Sequence, residues 1–254
     1  MANEVSADQL LRIVRNLADI ADGISMKYAK SGIVPFETKE DSTPVTRADR
    51  EVEIALREQL SKLRGDESVV GEEFNPKVPD DASYWVIDPI DGTVNYLYNM
   101  AGWSVSIAIK DREGTAVGVV YSPTINSLFT ATRGGGSFLN GRQLKCNEPI
   151  ELDRALIATG FAYSQELRKA QILQFNDLVL KIRDYRRNGS AAVDICHVAA
   201  GIVDGYYEMG LKEWDRAAAE LIAFEAGAKV TVHGELTIAA GAHLHGILSG
   251  HLLG

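Results

Sequence analysis

The sequence predicts a mixed fold of α-helices and β-strands, built as two halves that meet near residue 150. Apolar residues recur at helical spacing in some segments and alternate with polar residues in others, and the two kinds of segment follow each other along the chain. No internal repeat or low-complexity tract interrupts this order, and the organisation changes near Pro149. We therefore divide the 254 residues into an N-terminal half, residues 1–150, and a C-terminal half, residues 151–254.

Helices are predicted where the apolar period is close to 3.6 residues. The first begins at the capping-box pattern Ser6-Ala-Asp-Gln9 and buries a stripe that runs from Leu10 to Tyr28. The polar segment at residues 32–44 contains two prolines and is predicted to be a loop. Later helices are predicted over residues 46–63, 165–182, 191–200 and 214–227.

Strands are predicted where apolar residues alternate or form short runs between turn formers. Asn140-Gly141 has the composition of a hairpin turn. His243-Leu-His245 alternates as a strand would, and short strands and turns are predicted after residue 227. The remaining strands are predicted over residues 68–70, 103–109, 116–121, 127–132, 155–159 and 203–208.

The composition is that of an ordinary globular protein, with 46% hydrophobic and 24% charged residues. The net charge of −9 argues against a nucleic-acid or an anionic-membrane partner, because both repel an acidic chain. Two cysteines are too few for a disulfide framework, and the sequence predicts neither a signal peptide nor a membrane span. We therefore expect a cytoplasmic protein with no nucleic-acid and no membrane partner.

The most informative stretch is Asp88-Pro-Ile-Asp-Gly-Thr93, which follows a short apolar run. Asp88 and Asp91 repel each other, so core packing does not require them, whereas a hard cation such as Mg²⁺ binds through such oxygen ligands. Gly92 lets a ligand approach the main chain, and a helix that began there would offer free N–H groups to an anion. A cation site beside an anion site predicts phosphate chemistry, although a plain polar turn would also use these residues.

Further acids lie where predicted elements begin or end. Glu72 and Glu73 directly follow a strand, and Asp49 and Asp215 lie in the first turns of helices. Each has an ordinary explanation, since an acid after a strand is solvated and an acid at a helix start favours the helix dipole. Taken jointly with the Asp88-to-Thr93 stretch, they favour a metal site.

Several motifs in this order carry a resemblance that covers nearly the whole chain. They are Thr46-Arg-Ala-Asp49, Gly71-Glu-Glu73, Asp88-Pro-Ile-Asp-Gly-Thr-Val-Asn95, Arg186-Arg-Asn-Gly-Ser-Ala-Ala192, Asp204-Gly-Tyr-Tyr-Glu-Met-Gly210 and Glu213-Trp-Asp-Arg-Ala-Ala218. Together they resemble the inositol monophosphatase family, the Mg²⁺-dependent, Li⁺-sensitive phosphatases that also include fructose-1,6-bisphosphatase. The resemblance implies a layered αβαβα sandwich and a homodimer, with the active site between the two halves. The segment after Val232 is shorter than in the family, which puts the dimer contact in doubt.

The resemblance implies a ligand set for Mg²⁺. Glu72, Asp88 and the carbonyl of Ile90 would hold a first ion, and Asp88, Asp91 and Asp215 a second. Glu72 and water would hold a third, weaker ion. Li⁺ is expected to inhibit.

The resemblance also implies catalytic roles. A metal-activated water, held by Glu72 and Thr93, would attack the phosphorus in line, and Asp49 would pair with Thr93 to orient its hydroxyl. The backbone N–H groups of Gly92 and Thr93 would hold phosphate oxygens. Glu73 is expected nearby with a lesser role.

The implied substrate pocket combines part of the metal site with residues of the C-terminal half. Glu208 would accept hydrogen bonds from vicinal hydroxyls of the substrate. Arg186 and Arg187 would reach an anionic group or remain solvated, and Lys39 matches a loop lysine near the third metal with an offset of one residue. The pocket residues are Asp91, Gly92, Thr93, Gly189, Ser190, Ala191, Glu208 and Asp215.

These observations predict a Mg²⁺-dependent phosphomonoesterase that acts on a small polyol phosphate, with inositol 1-phosphate as the first choice. Histidinol phosphate, fructose-1,6-bisphosphate and a dinucleotide 3′-phosphate are alternatives within the same superfamily. A non-catalytic regulator that keeps the fold is the alternative from another class, although the intact acids argue against it. An RNA-associated accessory role beside catalysis stays open.

Overall fold

The structure is a computed structural model that describes residues 6–29, 35–39, 44–74, 79 and 83–254. Much of the predicted loop at residues 32–44 therefore lies outside the described residues. Within the described ranges, no helix has both the length and the apolar character needed to cross a membrane. The cytoplasmic location stays a prediction.

The helices follow the predicted order. The capping box at Ser6 is confirmed: the Ser6 side chain accepts from the Gln9 N–H at 3.3 Å, and the Gln9 side chain accepts from the Ser6 N–H at 2.9 Å. The helices are α1 (Ala7–Ala29), α2 (Arg47–Arg64), α3 (Thr93–Leu97), α4 (Gln165–Leu178), α5 (Ala191–Ala199), α6 (Glu213–Glu225) and α7 (Ala242–Leu253).

Two large sheets and one short hairpin contain the described strands. The hairpin pairs β1 (Phe36–Thr38) with β2 (Pro44–Thr46). The seven-stranded sheet has the order β3-β4-β5-β6-β7-β8-β9, and every pair except the parallel β3–β4 pair is antiparallel. Its strands are β3 (Ser68–Gly71), β4 (Ser83–Asp91), β5 (Ser104–Asp111), β6 (Gly114–Ser122), β7 (Ser127–Thr132), β8 (Gly136–Leu139) and β9 (Arg142–Gln143).

The second sheet has five strands in the order β11-β10-β12-β14-β13. The strand β10 lies parallel to β11 and β12, whereas β14 runs antiparallel to β12 and β13. The strands are β10 (Leu156–Thr159), β11 (Asp184–Arg186), β12 (Gly205–Met209), β13 (Lys229–His233) and β14 (Leu236–Ala240).

The side-chain alternation of the strands separates three cores. In the seven-stranded sheet, Val69 and Trp85 join the core with α1 and α2, while their neighbours Val70 and Val86 join the core with α5 and α6. In the five-stranded sheet, Ala158 and Tyr206 face that same central core, and Ile157 and Tyr207 face α7. The layers therefore run helix, sheet, helix, sheet, helix, which confirms the predicted αβαβα sandwich.

The predictions are wrong for two segments. Residues 36–38 and Pro44 belong to the hairpin β1–β2 rather than to a loop. The sequence His243-Leu-His245 lies in the helix α7 and not in a strand, because Leu244, Leu248 and Leu252 recur every four residues and are buried. The alternating histidines hid this helical period.

The two sheets lie on either side of residue 150, but packing between the halves is continuous. The helix α6, from the C-terminal half, packs on β5 and β6 of the N-terminal half. Ser106 and Thr115 also donate side-chain hydrogen bonds, each at 3.2 Å, to the α6 carbonyls of Trp214 and Ala217. The division into two domains stays a prediction.

Gly118→Ala should destabilise the fold at this contact. A Cβ at Gly118 would lie 2.8 Å from the Ala218 carbonyl oxygen and 2.9 Å from the Ala218 Cα, so α6 would have to move away from the sheet. We expect a loss of about 1–3 kcal/mol in the free energy of unfolding, measured by urea denaturation.

Gly246→Ala is the matched control. It lies on α7, where a Cβ would meet nothing within 4 Å, so we expect unchanged or slightly higher stability. Equal urea midpoints for Gly118→Ala and the wild type would contradict the close approach of α6 to β6.

Candidate active site

The strand β4 delivers two acids to one place at its end. Residues three apart in a regular strand point to opposite faces, but the pairing of β4 with β5 shifts register between Asp88 and Asp91. Gly92 then turns the chain into α3 with a left-handed φ of 89°. A Cβ at Gly92 would lie 2.9 Å from the Gly189 carbonyl oxygen, so this turn requires glycine for both its conformation and its space.

The acids of β4 meet Asp215 from the first turn of α6. Asp88, Asp91 and Asp215 each offer a carboxylate oxygen, and these oxygens lie within 4.8 Å of one another. Asp88 is 1% exposed and Asp91 8%. Burial, followed by repulsion from Glu72 and the other acids, raises the pKa of Asp88 well above its usual value. Burial and the charges of Asp91 and Glu72 do the same for Asp215.

These residues fit a hard divalent cation. The cluster contains only oxygen donors, which is the donor set that Mg²⁺ prefers, and it contains no histidine or cysteine that would select a softer metal. Buried like charges are unfavourable unless they are protonated or neutralised, and a bound cation neutralises them. The acidic triad is therefore suited to hold a metal ion.

Asp91 also connects the two halves of the chain. Its carboxylate accepts a short hydrogen bond from the Ser190 hydroxyl, and it accepts the N–H groups of Ala192 at 2.8 Å and Ala191 at 3.3 Å. These donors form the N-terminus of α5, where a negative charge is favourable. Burial outweighs the hydrogen bonds and raises the pKa of Asp91 to about 6.

The predicted residues Lys39, Glu72 and Glu73 lie together beside the triad. Lys39 Nζ contacts Glu72 Oε1 at 2.9 Å and Glu73 Oε1 at 2.6 Å. Glu72 and Lys39 line the same cavity as the triad, whereas Glu73 does not. The structure therefore places the offset lysine beside the acid that the resemblance assigns to the first and third ions.

The predicted Asp49 and Thr93 side chains each have another hydrogen-bond partner in this structure, so their pairing stays a prediction. Thr93 donates its hydroxyl to the Ile90 carbonyl at 3.2 Å. Asp49 closes the capping box of α2, and its Oδ2 accepts from the backbone N–H of Thr46 at 2.8 Å and from the Thr46 hydroxyl. Asp49 Oδ1 is buried without a hydrogen-bond partner among the described residues, and burial raises the Asp49 pKa to about 7.

The acids open into a cavity of 440 Å³ between the halves. Every predicted pocket residue lines it, as do Glu72, Asp88 and Ile90. On the C-terminal side, Glu208 accepts a hydrogen bond from the Tyr206 hydroxyl at 2.5 Å, and burial raises its pKa to about 7. Gly160 gives this carboxylate its room, because a Cβ there would lie 1.9 Å from Glu208 Oε2.

Of the two arginines predicted either to reach an anionic group or to remain solvated, Arg187 lines the cavity and Arg186 does not. Arg186 ends the edge strand β11 and contacts Asp184 at 2.6 Å on the exposed surface. Asp194 also lines the cavity, and the prediction missed it. It follows Ala191 by three positions on α5, so the helical period was the signal that could have found it.

The fold and the site define a class of protein: an αβαβα sandwich with a cluster of acids, suited to a metal ion, at the end of β4 and in the lining of a cavity between the halves. The model of the "Inositol monophosphatase family" matches residues 6–245 of the chain. The chain therefore belongs to the inositol monophosphatase family.

Named relatives and solved structures agree with this family. The "Nus factor SuhB" of Haemophilus influenzae is 40% identical over 209 residues, which cover 82% of this chain and 78% of that protein. The structure titled "Mycobacterium tuberculosis SuhB" is 35% identical with a TM-score of 0.85 and covers 98% of both chains. The inositol monophosphatase from Anabaena is 30% identical with a TM-score of 0.83, covering 97% of this chain and 96% of that one.

The names of the relatives correct one prediction. Other relatives at 38% and 41% identity, from Salmonella typhimurium and Pasteurella multocida, also carry the name "Nus factor SuhB". The prediction that the chain has no nucleic-acid partner is therefore wrong. Net charge is a sum over the whole surface, and it does not describe the surface that a particular partner contacts.

Removal of metal should make stability depend on pH. In the metal-free protein, burial raises the pKa of Asp91 to about 6 and that of Asp49 to about 7. The folded chain then binds more protons than the unfolded chain above about pH 4, so stability falls as pH rises through 6 to 7. Mg²⁺ competes with the proton on Asp91, and we expect it to raise Tm more at pH 8 than at pH 5, measured by differential scanning fluorimetry.

At 100 times its Kd, Mg²⁺ should add about 2.7 kcal/mol of stability. KCl at the same ionic strength is the control, and Asp88→Asn is the control variant. This variant should stabilise the metal-free protein and reduce the Mg²⁺ effect, because it removes one of the repelling charges. A Mg²⁺ effect of equal size in Asp88→Asn and the wild type would contradict binding at the triad.

Proposed function

We propose that the chain is a Mg²⁺-dependent phosphomonoesterase that hydrolyses a small polyol phosphate, with inositol 1-phosphate as the first candidate. The observation that carries the proposal is that Asp88, Asp91 and Asp215 bring carboxylate oxygens together in the lining of a cavity that Glu208 also lines. A phosphate bound at these acids would have its alcohol in the same cavity as the Glu208 carboxylate.

Asp88, Asp91 and Asp215 would hold one Mg²⁺, and Glu72, Asp88 and the Ile90 carbonyl another, with a weaker third at Glu72. When bound, Mg²⁺ lowers the pKa of a coordinated water and stabilises charge on the attacking and leaving oxygens. Li⁺ is expected to inhibit, as the family resemblance implies.

The main chain and Thr93 would position the phosphate. The left-handed turn at Gly92 exposes the backbone at the start of α3, where N–H groups can hold phosphate oxygens. In this structure the Thr93 hydroxyl donates a hydrogen bond to the Ile90 carbonyl. Asp49 Oδ1 has no described partner, and it would accept this hydroxyl if Thr93 turned to orient the attacking water.

Further lining residues would bind the leaving alcohol. Glu208 offers acceptors to vicinal hydroxyls, while Asp194 and Arg187 add a negative and a positive group to the lining of the same cavity. A second phosphate of fructose-1,6-bisphosphate would require Arg187, whereas the ammonium of histidinol phosphate would favour Glu208 and Asp194. A neutral polyol suits this mixture of acidic and basic groups best, because its hydroxyls can hydrogen-bond to both.

Phosphate release from a substrate panel tests the proposal. We expect Mg²⁺-dependent hydrolysis of inositol 1-phosphate above that of histidinol phosphate and fructose-1,6-bisphosphate, with inhibition by Li⁺. Asp88→Asn should lower kcat/KM by about 100-fold or more, since it removes electrostatic stabilisation of the transition state. Asp177→Asn is the matched control, because Asp177 lies on the outer helix α4 in an ion pair with Lys181.

Wild-type activity in Asp88→Asn at saturating Mg²⁺ would contradict the proposed site. Preference for histidinol phosphate would keep the site and replace the substrate. Sedimentation of the same samples tests the homodimer that the resemblance implies.

We infer a second role, in transcription, from the name "Nus factor" that the relatives carry at 38–41% identity. The chain would act there as a binding protein that keeps the fold, which is the regulator considered as an alternative to catalysis. Such a role needs the surface of the sandwich rather than the metal chemistry inside it.

The two roles are separable by one variant. We expect Asp88→Asn to retain binding to the transcription machinery and any effect on elongation in a reconstituted transcription assay, because Asp88 is 1% exposed and offers no surface to a partner. Loss of both hydrolysis and the transcription effect in a folded Asp88→Asn protein would argue that one role depends on the other. No effect of the wild-type protein on transcription would remove the second proposal.

A further inference from the structure

A buried carboxylate outside the cavity, that of Glu53, fastens the segment that carries Glu72. Glu53 lies on α2, its side chain is fully buried, and it does not line the cavity. Its Oε2 accepts the Glu73 N–H at 2.8 Å, and its Oε1 accepts the Phe74 N–H at 3.2 Å. The main chain directly after Glu72 is therefore bound to a helix of the outer layer.

Arg57 completes the attachment from the next turn of α2. Its Nε and Nη2 contact Glu53 Oε1 at 2.8 Å and 2.6 Å. The same guanidinium donates to the Val69 carbonyl at 3.1 Å and makes a short hydrogen bond to the Phe74 carbonyl. Glu53 and Arg57 thus bind the chain on both sides of Glu72, once on β3 and again after it.

Gly71 shows how closely the segment lies on this carboxylate. A Cβ at Gly71 would lie 2.1 Å from Glu53 Oε1 and 2.8 Å from Oε2. Glycine is required here for space, because only a bare main chain can lie against the carboxylate. The residue before Glu72 and the two after it therefore all contact Glu53.

We propose that Glu53 is a positioning residue for the metal site, which acts through the main chain of Gly71 to Phe74 to hold Glu72 toward the triad. The inference rests on the proposed metal site but not on phosphatase activity. Groups that orient metal ligands typically change metal affinity by 10- to 100-fold when they are replaced. We expect a loss of that order when the Glu53 carboxylate is replaced.

Glutamine is an informative replacement, because in the described hydrogen bonds the Glu53 carboxylate is always the acceptor. The N–H groups of Glu73 and Phe74 and the guanidinium of Arg57 use both carboxylate oxygens as acceptors. A carboxamide keeps the shape but presents one NH₂ group to these donors, so at least one hydrogen bond becomes a repulsion. The main chain from Gly71 to Phe74 should then move and carry Glu72 with it, while no acid that lines the cavity has been replaced.

The test is Mn²⁺ binding without substrate, by electron paramagnetic resonance, for Glu53→Gln and for the exposed control Glu58→Gln on the same helix. We expect binding 10- to 100-fold weaker in Glu53→Gln and unchanged in Glu58→Gln. Circular dichroism of the metal-free proteins monitors folding. If Glu53→Gln does not fold, Gly71→Ala replaces it, since the added methyl must displace the same carboxylate and should weaken binding likewise.

A double-mutant cycle with Glu72→Gln separates positioning from general destabilisation. If Glu53 acts through Glu72, its replacement should cause little further loss of Mn²⁺ affinity once the Glu72 carboxylate is gone. Fully additive losses, or a folded Glu53→Gln with wild-type affinity, would overturn the inference. A wild-type protein that bound no divalent cation would remove the metal site and this inference together.

Discussion

Carboxylates that lie close together repel each other, and the rest of the structure has to compensate this repulsion. Asp88, Asp91 and Asp215 bring oxygens within 4.8 Å of one another, and Glu72 adds a further charge at the edge of the cluster. Core packing alone would not bring these carboxylates together, because it costs free energy to bury an ion without a partner. The surrounding structure supplies partial compensation: Asp91 and Asp215 lie at the N-termini of α5 and α6, and Lys39 contacts Glu72.

The layers of the sandwich assemble this site from distant parts of the chain. The seven-stranded sheet presents Asp88 and Asp91 at a register shift, and the central helices bring Asp215 and the Ser190 hydroxyl against them. The outer helix α2 holds the Glu72 segment from the opposite side. Each layer supplies a rigid element with one or two acids, so a small error in layer packing would change the spacing of the oxygens.

The sequence predicted the acids better than their connections. Asp88, Asp91 and Asp215 could be found from the sequence because acids grouped at the ends of elements have no packing role. The αβαβα layers were predicted from the resemblance of the motif set. The sequence did not separate Arg186 from Arg187, because the alternation of side chains is not readable from the three residues of a short edge strand. The helix α7 was missed because Leu244 lies between His243 and His245, and this alternation is typical of a strand. The Thr93 bond to Ile90 was missed because neighbouring carbonyls compete for a hydroxyl.

Net charge failed to predict partners because it averages over every face.

Asp91 has a structural role in addition to its place in the acidic triad. Its carboxylate closes the N-terminus of α5 and joins the two halves, whatever the cation site holds. Replacement of Asp91 would therefore remove hydrogen bonds between the halves as well as one acid of the triad. Retention of Asp91 in a relative is therefore weak evidence for a metal site. Retention of Asp88 is stronger evidence, because among the described contacts its side chain accepts a hydrogen bond only from the nearby Ile90 N–H.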